Sequence, residues 1–184
     1  MDDLNRLPDE RLVALSGGGD REAFALLVAR HQGFVYGLAR RYLGSRALAE
    51  EAAQEVFLRL WRAAPRYRPL RPLTAYLRTL TVRLCLDGIR ASRVPLEPLP
   101  EDGRLPSGAP ASEETLLQRE RFRALAEALG QLPPNQRMAV VLFHLEGLSV
   151  EETAELLSVS PKAAESLLSR ARRALKDRLG GLLR

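Results

Sequence analysis

The chain has one cysteine, Cys85, one isoleucine, Ile89, two histidines, two lysines and few aromatics, 5% of its 184 residues. A lone cysteine excludes an internal disulfide and a cysteine-built zinc site, so the hydrophobic core has to stabilise the fold unaided. With only His31 and His144 besides, metal-ligand chemistry is nearly excluded, and no cofactor is expected. The longest apolar runs, Ala23 to Ala29 and Met138 to Phe143, fall far short of the roughly 20 residues that cross a bilayer, so no membrane insertion is expected. No glycine-rich phosphate loop and no serine nucleophile elbow is present, which argues against an enzyme. The amino terminus, MDDLNRLPDE, is acidic where a secretion signal is basic and lacks an apolar segment, which predicts a cytoplasmic protein.

Leucine supplies 36 residues, β-branched residues are sparse, and Ala, Glu and Arg are abundant. That composition favours helix over strand throughout and predicts an all-α fold. Arginine outnumbers lysine 26 to 2, which suits phosphate binding, a GC-rich genome or a hot habitat alike.

The net charge of +5 is unevenly spread. Residues 1–93 carry 16 basic and 10 acidic groups, 94–117 carry 1 and 5, and 118–184 carry 11 and 8. Two basic blocks thus flank an acidic connector, VPLEPLPEDGRLPSGAPASEE, whose five prolines and two glycines cannot sustain an amphipathic pattern. The reading is two small helical domains, 1–92 and 113–184, joined by a flexible acidic linker over 93–112.

In the first block, Ser16 to Gly19 breaks the chain and Asp20 caps a long helix. Phe24, Leu27, Val28, His31, Val35, Leu38 and Tyr42 form its apolar stripe, and Gly44 stops it. Ser45 caps a second helix to about Trp61, with Leu48, Ala52, Val56, Phe57 and Leu60 inward. Three prolines between Pro65 and Pro72 interrupt the pattern. A third helix runs from about Leu73 to Ala91, apolar at Leu73, Leu77, Leu80, Leu84 and Ile89. In the second block, one helix starts at Ser112 and ends near Gly130, and Pro133 and Pro134 open another that Gly147 closes. Ser149 to Glu152 is a capping box for a short helix to Leu157, and Ser160 with Pro161 starts a final helix to about Leu179. Two helices joined by so short a turn, the second strongly basic, form a helix-turn-helix pattern.

Three surfaces are candidates for function. On the final helix, Ala164, Leu168, Ala171 and Leu175 share the core stripe, which leaves Lys162, Ser166, Ser169, Arg170 and Arg173 outward, as donors to phosphates and base edges or as a solvated basic face. The third helix carries Arg78, Arg83 and Arg90 with Thr79 and Thr81, and the loop before it adds Arg66, Tyr67, Arg68 and Arg71. Arginines interleaved with an aromatic suit single-stranded nucleic acid, although surface arginines beside a proline loop also serve solubility alone. On the second helix, Glu50, Glu51, Gln54, Glu55 and Arg59 face a basic protein partner or complement the helix dipole. His31, Cys85 and Trp61 are expected in or near the core, and His144 at a helix end.

The segments AEEAAQEVFLRLW (49–61), AYLRTLTVRLCLDGIR (75–90) and LPPNQRMAVVLFHLEGLSVEETAELLSVSPKAAESLLSRARRALKDRL (132–179), in that order and around an acidic linker, resemble an extracytoplasmic-function (ECF) sigma factor of the bacterial sigma-70 family. The resemblance implies sigma region 2 over 1–92 and region 4 over 113–184, docked on RNA polymerase core as a monomer, directing promoter recognition and melting without catalysis. It places Glu50, Glu51, Gln54 and Glu55 against the clamp helices of the largest polymerase subunit, and region 4 near the flap of the second-largest. It assigns Arg66, Tyr67, Arg68, Arg71, Arg78, Arg83, Asp87 and Arg90 to the −10 promoter element, where a base is flipped into a pocket. Lys162, Glu165, Ser166, Ser169, Arg170 and Arg173 fall on the −35 recognition helix. The linker is expected to thread the polymerase cleft, and an anti-sigma factor to hold the protein inactive.

Departures from the family pattern are Arg83 for an asparagine, Glu51 for an aspartate, and Glu165 and Leu167 where a lysine and an arginine are frequent. Losing those two cations weakens phosphate attraction by the final helix, and Leu167 borders the core or serves a regulatory partner. Two further readings are a sigma mimic that sequesters an anti-sigma factor and a stand-alone helix-turn-helix regulator. The former usually carries a receiver-type domain, which is missing here, and the latter leaves the acidic helix and the proline loop unexplained.

Overall fold

A computed structural model of the chain describes residues 4–91 and 124–180, and of residues 89–91 the backbone alone. The linker expected over 93–112 and the helix start at Ser112 lie outside the described residues, as does the side chain of Ile89. Every regular element among the described residues is helical.

The first unit comprises α1 (Asp9–Gly17), α2 (Arg21–Leu43), α3 (Arg46–Ala63) and α4 (Leu73–Ala91), with short 3-10 turns at Leu4–Arg6 and Ala64–Arg66. Local chemistry sets most of these boundaries. Asp20 Oδ1 accepts from the amides of Glu22 at 2.9 Å and Ala23 at 3.0 Å, and Ser45 accepts from Leu48. Gly44 ends α2 at φ +70°, a conformation open to glycine at little cost.

The sequence shows only a breaker at Ser16 to Gly19, whereas the structure adds helix α1 in front of it. The helix instead runs through Gly17, and the break comes at Gly19, φ +95°. Gly17 has a packing role: a Cβ there would lie 2.8 Å from the carbonyl oxygen of Ala64, so glycine lets the end of α1 touch the turn after α3.

The second unit begins with α5 (124–130), followed by α6 (Pro134–Val140), which continues as a wider π turn over Val141–Leu145. Gly147 at φ +69° reverses the chain into α7 (Val150–Leu157) and α8 (Pro161–Leu179). The capping box at Ser149 forms in both directions, Ser149 N to Glu152 Oε2 at 2.8 Å and Glu152 N to Ser149 Oγ at 3.1 Å. Ser158, at φ 55°, makes the left-handed turn between α7 and α8.

Two hydrophobic interiors result. One lies wholly within the first unit, where Leu12, Leu27, Val35, Val56, Leu60 and Leu77 are fully or almost fully enclosed. The other runs through both units: Leu38, Tyr42, Val82 and Cys85 of α2 and α4 belong to the same buried cluster as Met138, Leu142, Leu168 and Ala171 of the second unit. The two units therefore share a buried cluster. The apolar stripe of α2 is divided between them, and on α4 Leu80 and Leu84 are only half-buried whereas Val82 and Cys85 are buried.

Polar contacts stitch the same seam. Arg41 Nε donates to Glu146 Oε1 at 2.9 Å. The buried Arg137 donates to the carbonyl of Tyr42 at 3.1 Å and of Gly130 at 3.0 Å, with its guanidinium 5.3 Å from the Tyr42 ring centre. These carbonyls close α2 and α5, where the last-turn oxygens lack helical partners and favour a cation. Desolvation pushes the Arg137 pKa down, only partly opposed by Tyr42. Fully burying one large apolar side chain is worth about 1.5–3 kcal/mol, whereas an exposed ion pair contributes about 0–1, so the shared interior dominates the seam.

Candidate nucleic-acid interface

Helix α3 turns its apolar stripe to the first interior, with Val56, Phe57 and Leu60 buried and Trp61 half-buried, edge-on to Phe24 at 4.9 Å. The opposite side shows Glu50, Glu51 and Gln54 exposed and Glu55 half-buried. Two of these carboxylates are engaged within the helix: Arg46 donates to Glu50 and Arg59 to Glu55, each at 2.8 Å. The side chains of Glu51 and Gln54 make no hydrogen bond among the described residues, and Gln54 lies one turn and Glu51 two turns from Leu58, which is 49% exposed. The face therefore combines an open carboxylate, an amide and an unpaired apolar side chain.

Beyond α3, Tyr67 is half-buried and stacks edge-to-face on Tyr76 with ring centres 5.3 Å apart. Partial burial, then the nearby Glu10, raises its phenol pKa. This pair anchors a loop whose tip is open: Arg66, Arg68 and Arg71 are exposed, and Leu70 is 90% exposed. Arg71 Nη1 meets Glu155 Oε1 of α7 at 2.6 Å.

Helix α4 divides the cations grouped on it by sequence. Arg83 and Asp87 are exposed and lie on one face with the backbone position of Arg90, whose side chain is outside the described residues. Arg78 belongs to another face, half-buried with its guanidinium 5.4 Å from the Phe34 ring centre and its Nε buried without a partner. Thr79 shares the Arg83 face and donates to Ala75 O at 2.9 Å. Thr81 is fully buried and donates to Leu77 O at 2.8 Å, so it is not available to nucleic acid.

Helix α8 presents the face expected of it. Ala164, Leu168 and Ala171 are buried and Leu175 half-buried, whereas Lys162, Glu165, Ser169, Arg170 and Arg173 are exposed and Ser166 half-buried. Ser160 Oγ accepts from Ala163 N at 3.2 Å, so the amino end is capped beside Lys162. Leu167 packs half-buried against the shared interior. His31 is buried, 2.7 Å from Asp9 Oδ2, and His144 is exposed with its ring against Phe143. No cluster of three His, Cys, Asp or Glu among the described residues is placed to hold a metal. Sequence reading missed Arg41, Arg137 and Glu146, because no spacing signal links positions about a hundred residues apart.

A helix-turn-helix with a basic outer face, preceded by a helical unit with an arginine loop, is the arrangement of a DNA-binding protein. The chain matches the family models for sigma-70 region 2 over residues 27–94 and sigma-70 region 4 over 122–175. It is 37% identical to the RNA polymerase sigma factor CarQ of Myxococcus xanthus over 89% of this chain and 93% of that one. Against the ECF RNA polymerase sigma factor SigM of Mycobacterium tuberculosis it is 34% identical over 95% and 86%. It is 38% identical to the ECF sigma factor SigE of Mycolicibacterium smegmatis, of whose length it spans 60%. Among solved structures, CnrH in complex with the cytosolic domain of CnrY overlays with a TM-score of 0.64 at 28% identity, covering 94% of this chain and 97% of that one. The sigma factor RpoE of Bartonella quintana, at TM-score 0.61 and 22% identity over 85% and 96%, shares the fold. The chain belongs to the ECF sigma factors of the sigma-70 family.

Proposed function

We propose that this sigma factor binds RNA polymerase core and directs initiation at promoters whose −10 and −35 elements it reads itself, with residues 1–92 and 113–184 as its two working domains and 93–112 as their tether. The observation that carries this reading is the pairing of two outward faces of opposite character: open Glu51, Gln54 and Leu58 on α3, and exposed Lys162, Ser169, Arg170 and Arg173 on α8. The first face suits the clamp helices of the largest polymerase subunit, joined by Glu50 and Glu55, whose intrahelical partners would have to be released or shared. The second suits the major groove, with Glu165 and Ser166 completing the reading edge, in a domain held near the flap of the second-largest subunit.

Arg66, Tyr67, Arg68 and Arg71 of the loop, with Arg83, Asp87 and Arg90 of α4, would hold the melted −10 strand. Extruding a base costs a few kcal/mol, which pocket contacts and arginine–phosphate contacts must offset. Arg78, whose guanidinium lies 5.4 Å from the Phe34 ring centre, would join this −10 set from the neighbouring face of α4. The chain supplies no catalytic group and needs no cofactor, since the polymerase performs the chemistry. A cytoplasmic site of action and restraint by an anti-sigma factor complete the proposal. The CnrH complex, in which a relative of this chain is bound by a cytosolic domain, supports the latter.

Run-off transcription with purified core polymerase on genomic fragments tests it. New start sites are expected on addition of the protein, and their absence alongside retained anti-sigma binding would establish the mimic instead. Replacing Glu51 and Gln54 by alanine is expected to weaken core affinity with the fold intact. Replacing Lys162 and Arg170 by alanine is expected to lower output from promoters that depend on the −35 element, with a shallower salt dependence.

A further inference from the structure

The Arg71–Glu155 pair joins the arginine loop of the first unit to the first helix of the helix-turn-helix, with both side chains still well exposed, at 67% and 60%. A carboxylate on a guanidinium makes the kind of charge-assisted contact that a backbone phosphate would make. Arg66 and Arg68, the other cations of the loop, have no acidic partner among the described residues. An exposed pair holds little by itself. This one is presented by a larger seam: Val82 and Cys85 of α4 share an interior with Met138 and Leu142, and Glu146 lies on Arg41.

We propose that in the free chain α7 is an internal competitor for single-stranded DNA, with Glu155 standing where a phosphate would stand on Arg71 and the shared interior holding it there. The inference rests on reading the loop as a nucleic-acid surface. It has an asymmetric consequence: the exposed face of α8 stays open in this closed arrangement, while Arg71 of the loop is occupied by Glu155. The free chain therefore touches duplex DNA through α8 more readily than it seats a melted strand. Parting the two units removes Glu155 and leaves all three loop arginines for the strand.

The test measures binding of the full-length chain to a short labelled single strand of mixed sequence and, separately, to a labelled duplex. Glu155→Ala should tighten single-strand binding about two- to fivefold, the scale of one exposed ion pair, with duplex binding little changed. Glu146→Gln, which loosens the seam away from the loop, should act in the same direction. Glu22→Ala, which removes an exposed carboxylate on α2, should gain far less. Equal gains from Glu22→Ala and Glu155→Ala would reduce the effect to net charge and overturn the inference, as would no gain from either seam variant. A third arm adds Arg66→Ala and Arg68→Ala to Glu155→Ala. Retained single-strand affinity there would sink the reading of the loop itself, whereas lost affinity without a gain from Glu155→Ala alone would sink only the masking.

Discussion

The two interiors of this molecule are assembled differently. The first is closed by α1 to α4 among themselves, from side chains between Leu12 and Leu77. The second needs both units, because α5 to α8 surround a cluster that Leu38, Tyr42, Val82 and Cys85 complete from the other side. Among the described residues, only the first unit closes an interior of its own. Its partner therefore gains apolar burial from being docked, and any event that parts the units exposes a hydrophobic surface that a larger partner would have to cover or tolerate.

Core truncations should break this contrast most forcefully. Leu60→Ala and Leu142→Ala each remove a fully buried side chain and are expected to cost about 2–5 kcal/mol in denaturant titration. Their footprints in amide exchange should differ: Leu60→Ala loosens α1 to α4 while α6 and α8 stay protected, whereas Leu142→Ala loosens α6 together with the carboxyl end of α2 and with α4. Matching footprints would mean the interiors are one. Next, Arg137→Leu should cost about 1–3 kcal/mol, since the carbonyls of Tyr42 and Gly130 lose a buried donor, measured by the same titration.

A pH experiment sharpens the picture further. Burial pushes the Cys85 thiol from its ordinary range up to about 12. The unfolded thiol ionises from about pH 9 upward while the folded one keeps its proton. The unfolded state then binds fewer protons, and stability falls as pH rises between those values. By pH ~10, the wild type should lose about 1–2 kcal/mol relative to Cys85→Ala, read from paired melts across pH. Smallest, Ser149→Ala breaks the capping box of α7 outside both interiors and should cost about 1 kcal/mol, with fraying confined to the first turn of α7 in amide exchange.

Much of the secondary structure was legible because its signals are local. Asp20, Ser45, Ser149 and Ser160 act as caps where the sequence places them, and Gly44 and Gly147 adopt the left-handed turns that stop their helices. The outer face of α8 was legible for the same reason, since a stripe of Ala164, Leu168 and Ala171 inward forces Lys162, Ser169 and Arg173 outward. Helix α1 escaped because its Gly17 resembles a breaker, and its contact with Ala64 is invisible along the chain. Arg78, grouped with Arg83 by composition, turned out to pack on Phe34, because five residues along a helix lead to a different face.

Capping chemistry and helical periodicity act over a few residues, so the order of amino acids alone set which segments became helices and which edge of the last helix met solvent. Which interior each part of a stripe entered could not be settled that way. On α2, Leu27 and Leu38 obey the same spacing, yet one is enclosed by the first unit and the other by both. That choice, and with it the meeting of Arg71 with Glu155 and of Arg137 with the end of α2, depended on surfaces brought together from distant stretches of chain. Only three-dimensional packing could decide it, because burial rewards complementary shape and leaves no period in the sequence.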